Sequence, residues 1–150
     1  MSSKTAKIEK IIPAGGELVE NDQIPLIFRF KSGKTGKRKA IASLKIAESD
    51  QERAIGLSKT ASLGPLSGMF FTKSGAFWMP PSMKFPLDLV FVDRKGKVLE
   101  KKAMPMDNGR GRYMTFEPTA AHAIELPLGF CDRHKIGYGD IVEVASPKKA

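Results

Sequence analysis

The sequence predicts a mainly β protein, a compact β-sandwich or barrel-like single domain with one or two short helices. Apolar and polar residues alternate with a period of two in several short segments. Glycine-containing turns separate these segments, and only two short stretches have helical features. Many short strands with two minor helices are typical of a sandwich or a barrel.

The length and composition favour one globular domain. A chain of 150 residues usually forms a single core, and a hydrophobic content of 41% is ordinary for such a domain. We therefore expect residues 1–150 to be one domain, with mobile tails at 1–4 and 146–150.

The first half of the chain is predicted to begin with a β-hairpin. Ile24–Lys31 and Lys39–Ala47 have strand-like alternation, and the basic segment SGKTGKR between them is typical of a turn. Ser49 and Glu52 have the spacing of a capping box, which predicts a short helix that ends near Gly56.

Six more strands are predicted downstream. Arg94-Lys95-Gly96 is expected to turn the strongest strand into the next one, with glycine at the left-handed position. Residues 108–114, NGRGRYM, are expected to form a flexible basic loop, and GFCDRHKI a helical turn. The predicted strands are Gly68–Thr72, Gly75–Met79, Leu87–Asp93 with the following KVLEKKAM, His122–Pro127 and Asp140–Ala145.

The segment GAFWMPPSMKFP contains the only tryptophan of the chain. Pro80 and Pro81 lack a backbone N–H, so they are expected to end the strand before them. Trp78 and Met79 alternate along that strand and point to opposite faces, so only one of them is expected in the core.

The basic residues form another candidate site. The net charge is +9, and cations cluster in the predicted hairpin and in the loop at 108–114. Binding of nucleic acid through Lys34, Lys37 and Arg38, together with Arg110 and Arg112, is therefore one alternative. It would be independent of base sequence and sensitive to salt.

No metal or cofactor is expected. Cys131 is the only cysteine, which excludes an intrachain disulfide and a cysteine-based zinc cage. Cys131 and His134 supply only two ligands, and a small buried cysteine beside a surface histidine is the simpler prediction. The segment SGKTG is not a phosphate loop, because Phe28 stands where that motif requires a glycine.

The methionines favour core packing. Six of the seven fall between residues 69 and 114, and a binding groove lined by Met83, Met104 and Met106 is the second interpretation. Copper binding by thioether sulfurs is the third.

Catalytic chemistry has little support in the sequence, which favours a non-enzymatic protein. Asp93 and Asp140 are predicted to bind their own turns. Asp88 and Glu125 lie inside apolar strands, where alternation predicts that a carboxylate points outward; the alternative is that it is buried and paired. A buried pair of these two with shifted pKa values would be a candidate site.

No segment has the pattern of a signal peptide or a membrane-spanning helix. The sequence thus predicts no membrane association, and a cytoplasmic location or a place in a particle assembled in the cytoplasm.

A family pattern runs through most of the chain. The pieces, in order, are Gly56-Leu57, GMFF (68–71), FWM (77–79), PLDLVFVDRKGKV (86–98), Pro105, AIELPLG (123–129), Ile136 and GD (139–140). Their order and spacing from Leu44 to Val144 resemble the prokaryotic family named domain of unknown function 192. The resemblance implies a compact, mainly β, sandwich-like domain with one or two short helices and no settled activity.

The chain departs from that family at two places. The family usually has Lys-Asn-Thr after Trp-Met, where this chain has Pro80, Pro81 and Ser82. It usually has Met-x-Arg after Gly-Leu, where this chain has Ser58-Lys59-Thr60. The first forty residues, with the basic hairpin, lie outside the resemblance.

The preferred hypothesis is a non-catalytic β-domain that docks onto a protein partner or a larger assembly, as an accessory or decoration-type subunit. The alternatives are a small-ligand or carbohydrate-binding module around Trp78, an enzyme that uses Asp88 or Glu125, and a nucleic-acid binder with basic loops. The candidate binding residues are Trp78, Met79, Ser82, Met83, Lys84, Arg110, Arg112, Lys34, Lys37 and Arg38.

Overall fold

The protein is described from a computed structural model, which covers residues 5–7, 25–79, 82–106 and 114–145. These residues form ten strands and two short helices, which confirms the mainly β fold class. The elements are β1 (Thr5–Lys7), β2 (Leu26–Lys31), β3 (Arg38–Ala47), α1 (Asp50–Ile55), β4 (Ser67–Phe71), β5 (Phe77–Trp78), β6 (Leu87–Val92), β7 (Val98–Met104), β8 (Met114–Thr115), β9 (His122–Pro127), α2 (Phe130–His134) and β10 (Ile141–Ala145).

Eight strands form one sheet in the order β1-β10-β2-β3-β4-β9-β6-β7. Within it β3 and β4 run parallel, and the crossover between them contains α1. The sheet curls until the start of β7 meets β10. There the N–H of Val98 donates to the carbonyl of Asp140, and the N–H of Val142 donates to that of Gly96, each at 2.8 Å. The result is a half-barrel.

Two apolar clusters fill the two sides of the curled sheet. The inner cluster takes side chains from every strand between β10 and β7, and α2 adds Phe130 and Cys131 to it. The outer cluster covers one face of β4, β9 and β6, where Leu57, Phe77 and Met83 pack against it. A second layer therefore lies over the outside of this part of the sheet.

Strand β6 shows the effect of this second layer. All six of its residues are buried, because Val90 and Val92 belong to the inner cluster and Leu89 and Phe91 to the outer one. Both faces of β6 are therefore largely apolar, as in strands of sheets that are covered on both sides.

The capping box and the helix stop are confirmed. The Ser49 hydroxyl accepts from the N–H of Glu52 at 3.0 Å, and the Glu52 carboxylate accepts from the N–H of Ser49 at 2.9 Å. Helix α1 ends at Ile55, and Gly56 is its C-cap.

The prediction for GAFWM is corrected. Its strand has only two residues, Phe77 and Trp78, and pairs with β8 in a separate two-stranded sheet rather than joining the main one. The alternation argument is confirmed, since Met79 is fully buried and Trp78 is exposed.

The turn acids behave as predicted. The Asp93 carboxylate accepts from the N–H groups of Lys95 and Lys97, both at 2.9 Å. The Asp140 carboxylate accepts from the N–H of Gly137 at 2.9 Å and also pairs with the Lys39 ammonium at 2.9 Å.

The prediction for Cys131 is confirmed, whereas that for His134 is only partly correct. Cys131 is buried, as predicted, but His134 is half-buried, with its ring 4.5 Å from that of Phe130. The tails at 1–4 and 146–150, and most of the loop at 108–114, lie outside the described residues.

Candidate functional site

A pocket opens beside the outer face of β9. It has a volume of about 540 Å³ and lies where the end of α1, the residues after β4 and strand β5 come together. Its wall includes Leu57, Phe71, Phe77, Trp78 and Met83, and Glu125 of β9 also lines it. The volume and the apolar wall with few polar groups are typical of small-molecule sites.

Glu125 is the unusual member of this pocket. Its side chain is only 7% exposed, and its Oε1 atom has no hydrogen-bond partner among the described residues. The strand residues opposite it are Leu89 on β6 and Met69 on β4, which offer no polar group. An unsatisfied buried polar atom costs about 1–3 kcal/mol, so it calls for an explanation.

Burial also changes the protonation of this carboxyl. Loss of hydration raises the pKa of Glu125 to about 8, since the charged form is disfavoured away from water. Glu125 therefore holds its proton at neutral pH.

Gly56 keeps the space next to Glu125 open. Its φ of 50° and ψ of −130° form a conformation that suits glycine, and this ends α1 at the edge of the pocket. A Cβ atom at this position would lie 3.6 Å from Glu125 Oε1 and 3.5 Å from Phe71 Cζ. A larger side chain would occupy the approach to the carboxyl.

Aromatic rings form one wall of the pocket. The rings of Phe71 and Phe77 pack edge to face with centroids 5.1 Å apart, and Phe77 contacts Phe91 in the same manner at 5.8 Å. These contacts hold Phe77 in place. Trp78 follows it on β5 and is 50% exposed, so it offers a ring both to the pocket and to solvent.

Three more charged residues line the pocket. The Arg53 guanidinium pairs with the Asp50 carboxylate, and it also donates to the carbonyl of Glu48 and to the Thr72 hydroxyl. The charge of Arg53 is thus balanced locally. Lys73 is exposed and makes no ion pair with the described residues.

Asp88 lies on the other side of the sheet from Glu125. It pairs in register with Leu126, whereas Glu125 pairs with Leu89. The Asp88 carboxylate accepts from the N–H of Cys131 at 2.9 Å and from that of Gly129 at 3.2 Å. It satisfies the backbone at the start of α2, so its role is structural.

The sequence prediction for these two acids was therefore partly wrong. Both are buried rather than pointing outward, because the second layer and α2 cover the two faces of the sheet. They do not form a pair, because alternation along neighbouring strands places them on opposite faces.

The other candidate binding residues around Trp78 differ in their exposure to solvent. Met79 is fully buried, whereas Ser82 and Lys84 are exposed. Met83 and Met104 are buried in the outer cluster, which agrees with core packing and leaves no groove with the exposed Met106. Met83 nevertheless reaches the pocket, where it joins Trp78.

The basic candidates lie away from the pocket. Lys34, Lys37 and Arg38 are exposed at the start of β3, and α1 follows the other end of this ten-residue strand. Their neighbour Lys31 pairs with Glu143 at 3.0 Å. Arg110 and Arg112 lie outside the described residues.

The described residues contain no helix long and apolar enough to cross a membrane. They also contain no group of three or more His, Cys, Asp or Glu side chains placed to hold a metal ion.

The curled sheet, helix α2 and the pocket beside β9 define a small half-barrel domain in which one buried carboxyl, that of Glu125, lines the pocket. The chain belongs to the family named domain of unknown function 192, described as uncharacterized ACR, whose model matches residues 31–144. The matched range includes the basic hairpin, which was predicted to lie outside it.

Two solved structures share the fold. One is that of a suggested transcription regulator from Sinorhizobium meliloti 1021, with 20% identity, a TM-score of 0.70, and coverage of 86% of this chain and 98% of the other. The second is a protein of unknown function from Novosphingobium aromaticivorans DSM 12444, with 23% identity, a TM-score of 0.68, and coverage of 85% and 90%. The curated proteins include no significant match.

Proposed function

We propose that this domain binds a small ligand in the pocket between α1, β5 and β9, with Glu125 as the polar contact. One observation carries the proposal: a buried carboxyl oxygen without a partner lines an open apolar pocket. A ligand that supplies the missing partner removes the cost of the unsatisfied atom, and this gain adds to the burial of its apolar surface.

Trp78 supports the same function. Its ring lines the pocket and remains half exposed, which is the arrangement expected of an aromatic platform at the mouth of a binding site. The ligand-binding alternative predicted from the sequence required an accessible Trp78. The docking role on a protein partner stays a prediction. For the pocket itself, a concave shape with one buried acid favours a small molecule over a flat protein surface as the ligand.

Binding is favoured over turnover. Glu125 faces the side chains of Leu89 and Met69, and neither can serve as a nucleophile or a base. Glu125 can orient a ligand, and Ser74, whose buried hydroxyl also lacks a hydrogen-bond partner among the described residues, lines the same pocket and can add a second polar contact.

The test is a ligand screen read residue by residue. Mixtures of small amines, alcohols, carboxylic acids and saccharides are added to the ¹⁵N-labelled full chain, and amide chemical shifts are recorded. We expect concentration-dependent shifts at Gly56, Phe71, Gly75 and Trp78. They should be lost in Trp78→Ala and retained in Phe116→Ala, an equally exposed aromatic outside the pocket. Shifts confined to other surfaces would contradict the proposal.

A further inference from the structure

We propose that the ligand of this pocket carries a positively charged ammonium group, which pairs with the Glu125 carboxylate. This inference rests on the proposed function and adds the chemical class of the ligand.

Once it is ionised, the Glu125 carboxylate is an acceptor only, and the side chains opposite it on β4 and β6 are apolar. An ammonium group supplies both a compensating charge and N–H donors, and such charge-assisted bonds are about twice as strong as neutral ones. An alcohol supplies a donor and no charge, and a second anion would be repelled by the ionised form.

The aromatic rings of the pocket also favour a cation. Phe71, Phe77 and Trp78 line the same pocket as the carboxyl. A cation near the face of an aromatic ring is attracted by about 0.5–2 kcal/mol, more when it is shielded from water. A carboxylate beside several aromatic rings therefore favours an organic cation over a neutral molecule of the same shape.

The other charged side chains of the pocket do not form an ion pair with Glu125. From α1, Arg53 faces the pocket with its charge balanced by Asp50. From the segment after β4, Lys73 contributes an exposed ammonium, which solvent and salt screen. The facing residues of β4 and β6, Met69 and Leu89, carry no charge. When ionised, Glu125 therefore has no ion-pair partner among the described residues.

Pairing with a cation has a consequence for the proton of Glu125. Burial holds the pKa of this carboxyl at about 8 in the free protein, so at pH 7 the proton must leave before the ion pair forms. The affinity for an ammonium ligand should rise about tenfold per pH unit below pH 8 and level off above it.

A matched set of probes tests the inference. Calorimetric titration of the full chain at pH 7.5 compares n-butylammonium, 1-butanol and butyrate, which share one alkyl chain and carry charges of +1, 0 and −1. We expect n-butylammonium to bind at least tenfold more tightly than 1-butanol, with butyrate the weakest. Equal or tighter binding of 1-butanol or butyrate would overturn the inference.

Two controls connect this preference to Glu125. Glu125→Gln keeps the side-chain shape without the charge, and it should lower the preference for n-butylammonium at least fivefold, leaving the part that the aromatic rings supply, while 1-butanol binding persists. In the unmodified chain, titrations in buffers of different ionisation enthalpy should show release of close to one proton per bound n-butylammonium at pH 7. The proton-release measurement uses only the unmodified chain, so it does not depend on the folding of a variant. Binding without proton release would contradict the ion pair.

The outcomes separate this inference from the proposed function. If saccharides or alcohols shift the pocket amides and n-butylammonium does not, the ammonium class is wrong and ligand binding stands. If none of the three probes binds and the screen also leaves the pocket amides unchanged, both proposals are wrong.

Discussion

The carboxyl groups of Asp88 and Glu125 lie on adjacent strands and face opposite sides of the same sheet. Asp88 accepts two backbone N–H groups at the start of α2, whereas Oε1 of Glu125 accepts none from the described residues. Two acids in similar apolar strands thus have different roles. Asp88 supports the fold, and Glu125 is left available to a ligand.

Glu125→Gln should change how stability depends on pH. The pKa of Glu125 is raised by burial from 4.5 to about 8, so the folded state keeps a proton that the unfolded state releases between these values. The stability that this proton contributes is complete below about pH 4.5 and is lost as pH rises through 8. The slope approaches about 1.4 kcal/mol per pH unit, and the glutamine variant lacks it.

Urea unfolding at pH 5, 6.5 and 8 measures this difference. The free energy of unfolding of the unmodified chain, minus that of Glu125→Gln, should fall steadily with pH. Other titrating groups, such as His122 with its lowered pKa, contribute equally to both proteins and cancel. Parallel stability curves would contradict a protonated Glu125.

Asp88→Ala should weaken the fold and leave the pocket unchanged. It removes the acceptor for the N–H groups of Gly129 and Cys131, and each buried donor left unsatisfied costs about 1–3 kcal/mol. Asp88→Asn retains one acceptor oxygen and should cost less. Urea unfolding of both variants gives the ranking, and an alanine variant as stable as the asparagine variant would contradict the capping role.

Trp78→Ala should weaken ligand binding more than it weakens the fold. The ring is half exposed, so its loss removes little buried surface, but it removes one wall of the pocket. We expect at least a fivefold loss of affinity for n-butylammonium, with a small change in melting temperature. Phe116→Ala, at 57% exposure and outside the pocket, is the matched control and should bind normally.

Neutralising the basic hairpin should leave pocket binding unchanged. Replacing Lys34, Lys37 and Arg38 by serine removes three charges at the start of β3, and the ten residues of that strand span about 33 Å. Charges that far apart are screened at 0.15 M salt, where the Debye length is about 8 Å. Calorimetry with n-butylammonium checks this expectation, and a change of more than twofold would refute it.

The same triple variant examines the nucleic-acid alternative. Contacts from these side chains to phosphate would weaken steeply as salt increases and would be lost in the variant. A single-stranded oligonucleotide titrated at 50 and 200 mM salt provides the comparison. Binding that depends on neither salt nor the three cations would eliminate the hairpin as a nucleic-acid site.

Local patterns in the sequence were sufficient for much of the fold. The capping box at Ser49 and Glu52 and the turn at Asp93 depend on residues within a few positions of one another. The opposite orientations of Trp78 and Met79 follow from strand alternation alone. Such short-range features can be read before any tertiary contact is known.

The pocket could not be predicted in the same way. Gly56 was visible as a helix stop and as part of a family motif, but its position beside Glu125 depends on the crossover from β3 to β4. Alternation also predicted outward-pointing acids, because a single strand does not reveal that a second layer covers its other face. The long-range packing that buries Glu125 is what creates the site.

The most direct test is an NMR titration of the Glu125 carboxyl carbon in the full chain, with and without n-butylammonium. We predict a midpoint near pH 8 in the free protein and a midpoint at least two units lower at saturating n-butylammonium, because the cation stabilises the charged form. A midpoint near 4.5 in the free protein, or one that n-butylammonium does not move, would contradict the account.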